Sequence, residues 1–195
     1  FQAEDGIRDT SVTGVQTCAL PIYDVALLVA RDVPVAHCPR SNALLGCGIA
    51  PLHDFLEAGL RVGLGTDSPA STPSFDIWEE LRTAIYVARG RERRPDALSA
   101  HQALALVTTG AAAALGRTGE IGVLAPGANA DITVLSLAGS PYDPVEDPVV
   151  AAIFGGSPDR ILETIVDGTT RYRQGETSWH EVHSTASAAR ARMLA

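Results

Sequence analysis

The stretch Leu60-Arg-Val-Gly-Leu-Gly-Thr-Asp67-Ser-Pro-Ala-Ser71 constrains this chain more than any other. Leu60 to Leu64 is apolar and too short for a helix, and Gly59 and Gly65-Thr66-Asp67 bound it, so it reads as a buried strand that ends on a carboxylate. In parallel α/β folds chemistry collects at the carboxyl ends of strands, where loops vary while the sheet holds the end residues rigid. Asp before Ser-Pro is also a good turn former. Asp67 is therefore either a structural turn residue or a catalytic one, and its neighbours must decide.

Upstream, Val25, Leu27, Leu28 and Ala30 form a short apolar helical stripe broken by Asp32-Val33-Pro34. Val35 and Ala36 start a strand that ends in His37-Cys-Pro-Arg-Ser-Asn42, and the loop Gly46-Cys-Gly-Ile-Ala-Pro51 leads into a helix over Leu52 to Ala58, with Pro51 at its start. Two strand-loop-helix units in succession suit a parallel sheet with helical crossovers. After Asp67, the apolar spacing from Phe75 to Arg89 predicts a helix with one buried face, capped by Ser74 or Asp76. Ser99 and Gln102 form a capping box for the next helix, which runs to Gly116 with a break at Gly110. From Gly119 to Leu137, β-branched runs cut by Gly and Pro read as small antiparallel strands, and Arg160 to Arg173 as a hairpin turning at Asp167-Gly168. Glu181 to Ala195 is an Ala- and Arg-rich surface helix.

The net charge of −8 argues against a nucleic-acid partner, which needs a basic face, and the arginines from Arg89 to Arg94 cap a helix end in solvent. No apolar run approaches the ~20 residues of a membrane span. Cys18, Cys38 and Cys47 are too few for a disulfide framework, so a reducing, cytoplasmic setting is expected.

Residues 2–22 resemble something other than a protein family. Gln2 to Asp9 and Val12 to Ile22 look like the in-frame translation of a common sequencing-library adapter, with Thr10-Ser11 in place of its variable index. That resemblance implies that residues 1–22 are not native and that natural sequence preceding Tyr23 is missing.

His37 and Asp67 end successive strands on one rim, a pairing that suits a divalent metal able to lower the pKa of a bound water to about 7. A catalytic zinc needs about three protein ligands, and the sequence holds neither His-x-His nor His-Glu-x-x-His. His53, His101, His180 and His183 read as surface residues, and Cys38 and Cys47 as small packing residues.

Val35-Ala-His-Cys-Pro-Arg-Ser-Asn42, Gly46-Cys-Gly-Ile-Ala-Pro51, Gly63-Leu-Gly-Thr-Asp-Ser68 and Gly127-Ala-Asn-Ala-Asp-Ile-Thr-Val134 together resemble the last third of a metal-dependent amidohydrolase. The branch is the cytosine deaminase-like and chlorohydrolase-like one, which includes deaminases of S-adenosylhomocysteine and methylthioadenosine. The resemblance implies an α/β fold: the last two strands of a (β/α)8 TIM barrel over residues 23–117, part of a small β-sandwich over 118–175, and a tail helix over 176–195. It implies that Asp67 is the metal ligand on the final strand and accepts a proton from metal-bound water. The metal it implies is Zn²⁺, with Fe²⁺ the alternative. His37, Arg40, Ser41, Asn42 and Ser68 are then expected on the substrate side, with His37 as a loop buttress equally open.

The expected substrate is a small amino-heterocycle such as an adenine nucleoside or aminodeoxyfutalosine, attacked by hydroxide with release of ammonia. A chlorohydrolase, a ring-opening amidase or a non-catalytic ligand-binding relative are the alternatives. The family's other metal histidines and its acid-base glutamate belong upstream of Tyr23, so residues 23–195 alone are expected to bind no catalytic metal and to be inactive. Homo-oligomerisation through Phe75 to Arg89 stays open.

Overall fold

The structure, a computed structural model, describes residues 15–16, 22–176 and 179–194. A first sheet holds strands β1 (Val15–Gln16), β2 (Val35–His37) and β3 (Val62–Leu64), all parallel and in that order. Val35 pairs with Val62 and His37 with Leu64, so the two strands expected from sequence are neighbours in register.

The third strand was not expected. Val15–Gln16 lies in the segment with the adapter resemblance, and its ladder uses only backbone groups along an edge of β2 that would otherwise stay unpaired. Residues 1–14 and 17–21 lie outside the described residues, and with them most of that segment.

Helix α1 (Ile22–Ala30) precedes β2. Helices α2 (Pro39–Leu44) and α3 (Leu52–Glu57) make the crossover from β2 to β3. Where the sequence reading carries the strand's end from His37 to Asn42, Pro39 starts α2 at once, because its fixed φ suits a first helical position and its missing N–H costs nothing there. Helix α4 (Ile77–Glu92) starts at Asp76, whose carboxylate accepts the Trp78 and Glu79 N–H groups, so Asp76 is the cap and Ser74 is not. Leu81, Ala84, Ile85 and Ala88 form its buried face, and with Phe55, Val35, Val62 and Leu64 they make the core.

Helices α5 (Ala100–Val107) and α6 (Thr109–Ala114) follow. The Ser99–Gln102 capping box forms with both reciprocal hydrogen bonds. The break falls at Thr108, just before Gly110; a side chain at Gly110 would come within 2.8 Å of the Val62 carbonyl, so that glycine lets α6 lie against β3.

The second sheet has strands β4 (Ile132–Leu135), β5 (Ile161–Val166) and β6 (Thr169–Arg173), antiparallel and in that order. Asp167 and Gly168 both take positive φ, as a tight type I′ hairpin turn requires. Between β4 and β5 lies helix α7 (Pro148–Gly155), which the sequence pattern did not reveal. Asp147 caps it, Ile153 enters the core, and the Arg82 guanidinium of α4 donates to the Ile153 and Gly156 carbonyls, both at 2.9 Å. Part of the 118–175 segment thus packs on the helical layer rather than in the small sheet. The tail is helix α8 (His180–Leu194). Among the described residues, no helix is long and apolar enough to cross a membrane.

Candidate active site

The backbone carries the β2–β3 pairing one step beyond the strands: Gly65 N–H donates to the His37 carbonyl at 3.0 Å. Asp67 then takes φ +59, a left-handed conformation that Asp tolerates better than most residues. In this turn its Oδ1 accepts the Ser68 N–H at 2.7 Å and its Oδ2 accepts the Ser41 hydroxyl at 2.6 Å, two charge-assisted bonds that fix the carboxylate. The loop that follows closes on Thr72, a buried residue whose hydroxyl reaches the Thr66 carbonyl at 2.6 Å and the Ser68 carbonyl at 3.3 Å.

Ser41 comes from the first turn of α2. That helix has no side-chain cap of its own: Cys38 at the cap position makes none, and Pro39 has no N–H. The Arg40 N–H is instead accepted by Glu80 Oε2, from α4, at 3.3 Å. The Arg40 guanidinium also turns toward α4, pairing with Glu79 Oε2 at 2.7 Å, bonding Ser74 through its hydroxyl and carbonyl, and lying 3.8 Å from Glu80 Oε1.

Glu80 is fully buried, and its Oε1 has no hydrogen bond among the described residues. Burial pushes its carboxyl up to about 7, helped by the charges of Glu79 and Asp67 and opposed by the N–H and charge of Arg40. Burial also pushes the Cys38 thiol up to about 11, with the charges of Asp67 and Glu80 adding to it. Cys38 is thus a protonated packing residue at neutral pH.

His37 shares the buried face of β2 with Val35, while Ala36 between them is exposed. Its ring is 1% exposed, neither nitrogen has a hydrogen-bond partner among the described residues, and burial lowers its pKa to about 4, so it is neutral at pH 7. With Asn42, Gly48, Ile49 and Val87 it lines a cavity of about 20 Å³, the room needed by one water.

The structure therefore brings Asp67, Ser41 and Ser68 into direct contact. It turns Arg40 toward α4, and it encloses His37 and Asn42 beside the cavity. Ser68 is exposed, and Asp67 is partly so. Glu80 and Thr72 were not singled out from sequence. Glu80 could have been, because it lies one helical turn from Ile77 and from Ala84 on the apolar stripe of α4, where an acid is out of place. His53 pairs with Glu57 at 3.3 Å, and His101 lies 3.7 Å from Asp147, both at the surface.

A carboxylate such as that of Asp67 is of the oxygen-ligand type that a divalent metal takes. Among the described residues, however, no three His, Cys, Asp or Glu side chains gather to hold one. The described residues do not by themselves make a metal centre.

The Amidohydrolase family model matches residues 3–171. The 5-methylthioadenosine/S-adenosylhomocysteine deaminase of Moorella thermoacetica is 34% identical over 171 residues, which is 88% of this chain and 40% of the relative. Among solved structures, a zinc-bound adenosine deaminase from Xanthomonas campestris superposes with a TM-score of 0.83 at 27% identity, over 89% of this chain and 40% of that one. The zinc complex of atrazine chlorohydrolase from Arthrobacter aurescens gives 0.82 at 29% identity, over 90% of this chain and 40% of that one. The chain thus spans well under half the length of the relatives it matches, and over that span it shares their α/β fold. The rim that ends in Asp67, the two-sheet architecture and the length of the match together make this chain a member of the amidohydrolase family.

Proposed function

We propose that this chain is the C-terminal portion of a metal-dependent hydrolase that removes an amino group from a small heterocycle, with an adenine nucleoside such as methylthioadenosine or S-adenosylhomocysteine as the substrate. Aminodeoxyfutalosine is a further candidate of the same chemistry. The observation that carries the reading is Asp67: a carboxylate at the carboxyl end of a parallel strand, partly exposed, and held by Ser41 and by its neighbour's N–H.

In this reading Asp67 supplies one ligand to a divalent metal, Zn²⁺ as in the zinc-bearing neighbours or Fe²⁺. The other ligands come from barrel strands that precede residue 23 in the complete protein. Residues 23–117 contribute to the barrel, 118–175 to a β-sandwich and 176–195 to a tail helix, and the chain alone binds no catalytic metal and turns nothing over. Ser68, exposed beside Asp67, forms the near wall of the substrate site, while Ser41 holds the Asp67 carboxylate and Arg40, Asn42 and His37 support that wall from behind, on α2 and β2. The protein works in the cytoplasm, on a small molecule rather than on nucleic acid or a membrane.

The likeness to atrazine chlorohydrolase favours a second reading, displacement of chloride from a ring carbon at the same site. The complete protein, expressed from the reading frame recovered upstream in the source DNA, separates the two. Ammonia release from adenine nucleosides supports the deaminase, and chloride release from chlorinated triazines without it supports the alternative. Absence of both removes the enzymatic reading.

A further inference from the structure

Glu80 stands outside every role described so far. It is a fully buried acid, one of its oxygens has no hydrogen bond among the described residues, and its charged partner Arg40 is 3.8 Å away. A buried, half-satisfied carboxylate is costly, and an apolar side chain of similar shape would pack α4 at lower cost. Glu80 does, however, accept the first N–H that α2 offers, from a position 40 residues away in sequence. The next residue of α2 is Ser41, whose hydroxyl lies 2.6 Å from Asp67 Oδ2.

We infer that Glu80 is a positioning residue for Asp67: from α4 it fixes the amino end of α2, and α2 in turn aims the Ser41 hydroxyl at the Asp67 carboxylate. A hydrogen bond weakens steeply with misalignment, so a shift of the first turn of α2 would release Asp67 to its other rotamers. The clamp is reinforced by Arg40, which ties the same turn to Glu79 and Ser74 at the entry to α4. The geometry stands by itself; only its meaning for turnover rests on the proposed function.

The test compares Glu80→Asp with Glu80→Gln in the 195-residue chain. The first keeps the charge and shortens the reach, and the second keeps the reach and removes the charge. NMR reads the Asp67 χ1 couplings, the Ser68 amide shift, and exchange of the Asn42 and Leu45 amides, which bond back within the first turns of α2. Positioning by reach predicts that Glu80→Asp averages the Asp67 rotamer, moves the Ser68 amide and speeds the α2 amides about tenfold. It also predicts that the α2 amides of Glu80→Gln, taken relative to core amides such as Val35 and Leu60 in the same protein, stay within about threefold of the parent. Ser41→Ala releases Asp67 while leaving Arg40 capped.

The inference is overturned if Glu80→Asp leaves Asp67 in one rotamer, if Glu80→Gln disturbs it as much as Glu80→Asp does, or if every amide accelerates alike. None of these readouts needs metal or substrate, so failure of the deaminase reading would leave them unchanged.

Discussion

Arg40 with Glu80 under the parallel sheet and Arg173 with Glu163 on the antiparallel one are the same chemical pair in two settings. The surface pair is the closer, at 2.8 Å against 3.8 Å, yet Glu163 stays in the ordinary carboxylate direction, its pKa lowered by its Thr170 and Arg173 hydrogen bonds. Glu80 moves the opposite way despite its arginine, because water is excluded from it. Burial, not separation, decides what a charge does here. The strands differ in the same sense: β3 is buried at every position, whereas β6 is exposed along most of its length.

The largest contrast is expected in packing. Phe55, fully buried in the core, should cost about 3–5 kcal/mol on truncation to Ala, whereas Leu162, 40% exposed on β5, should cost less than about 1 kcal/mol. Denaturant titration of both variants measures the difference, and equal costs would mean that the two sheets share one environment.

Next comes pH, where two buried groups under the parallel sheet act in opposite directions. His37 titrates near 6.5 when unfolded and near 4 when folded, so its contribution is present above 6.5 and is lost as pH falls toward 4. Glu80 titrates near 4.5 unfolded and near 7 folded, so its contribution is fully present below 4.5 and is lost as pH rises toward 7. Each window corresponds to about 3 kcal/mol, and the two oppose each other where they overlap. Relative to the parent, Glu80→Gln should therefore gain stability as pH rises from 4.5 to 7, and His37→Asn should gain it as pH falls from 6.5 to 4. Unfolding midpoints across this range that move in parallel for all three proteins would contradict the assignment.

Smaller again is Ser41→Ala, which removes a charge-assisted bond to a partly exposed carboxylate and should cost about 1–2 kcal/mol in the same titration. At the bottom of the scale, Glu163→Gln on the exposed sheet should leave the midpoint unchanged within error.

What could be read from sequence was what is local. The Ser99–Gln102 box, the Asp167-Gly168 turn and the strand that stops at Leu64, three residues before Asp67, are each specified by residues within a few positions. Helix α7 was hidden because Pro148 to Gly155 is apolar on all sides and shows no period. The direction of His37 was hidden too: a three-residue strand alternates either way, and which face the helices cover is decided by distant segments. Ser41 and Asp67 could each be named from sequence, but their 2.6 Å bond depends on α2, and α2 depends on an acid in α4.

The most direct test of the functional account is zinc content and ammonia release by the protein expressed from the source reading frame continued upstream of residue 23, made with Asp67 and with Asp67→Asn. The account expects bound zinc and deamination of methylthioadenosine or S-adenosylhomocysteine with Asp67, and loss of both with Asn. An Asp67→Asn protein that keeps its zinc and its turnover would contradict it.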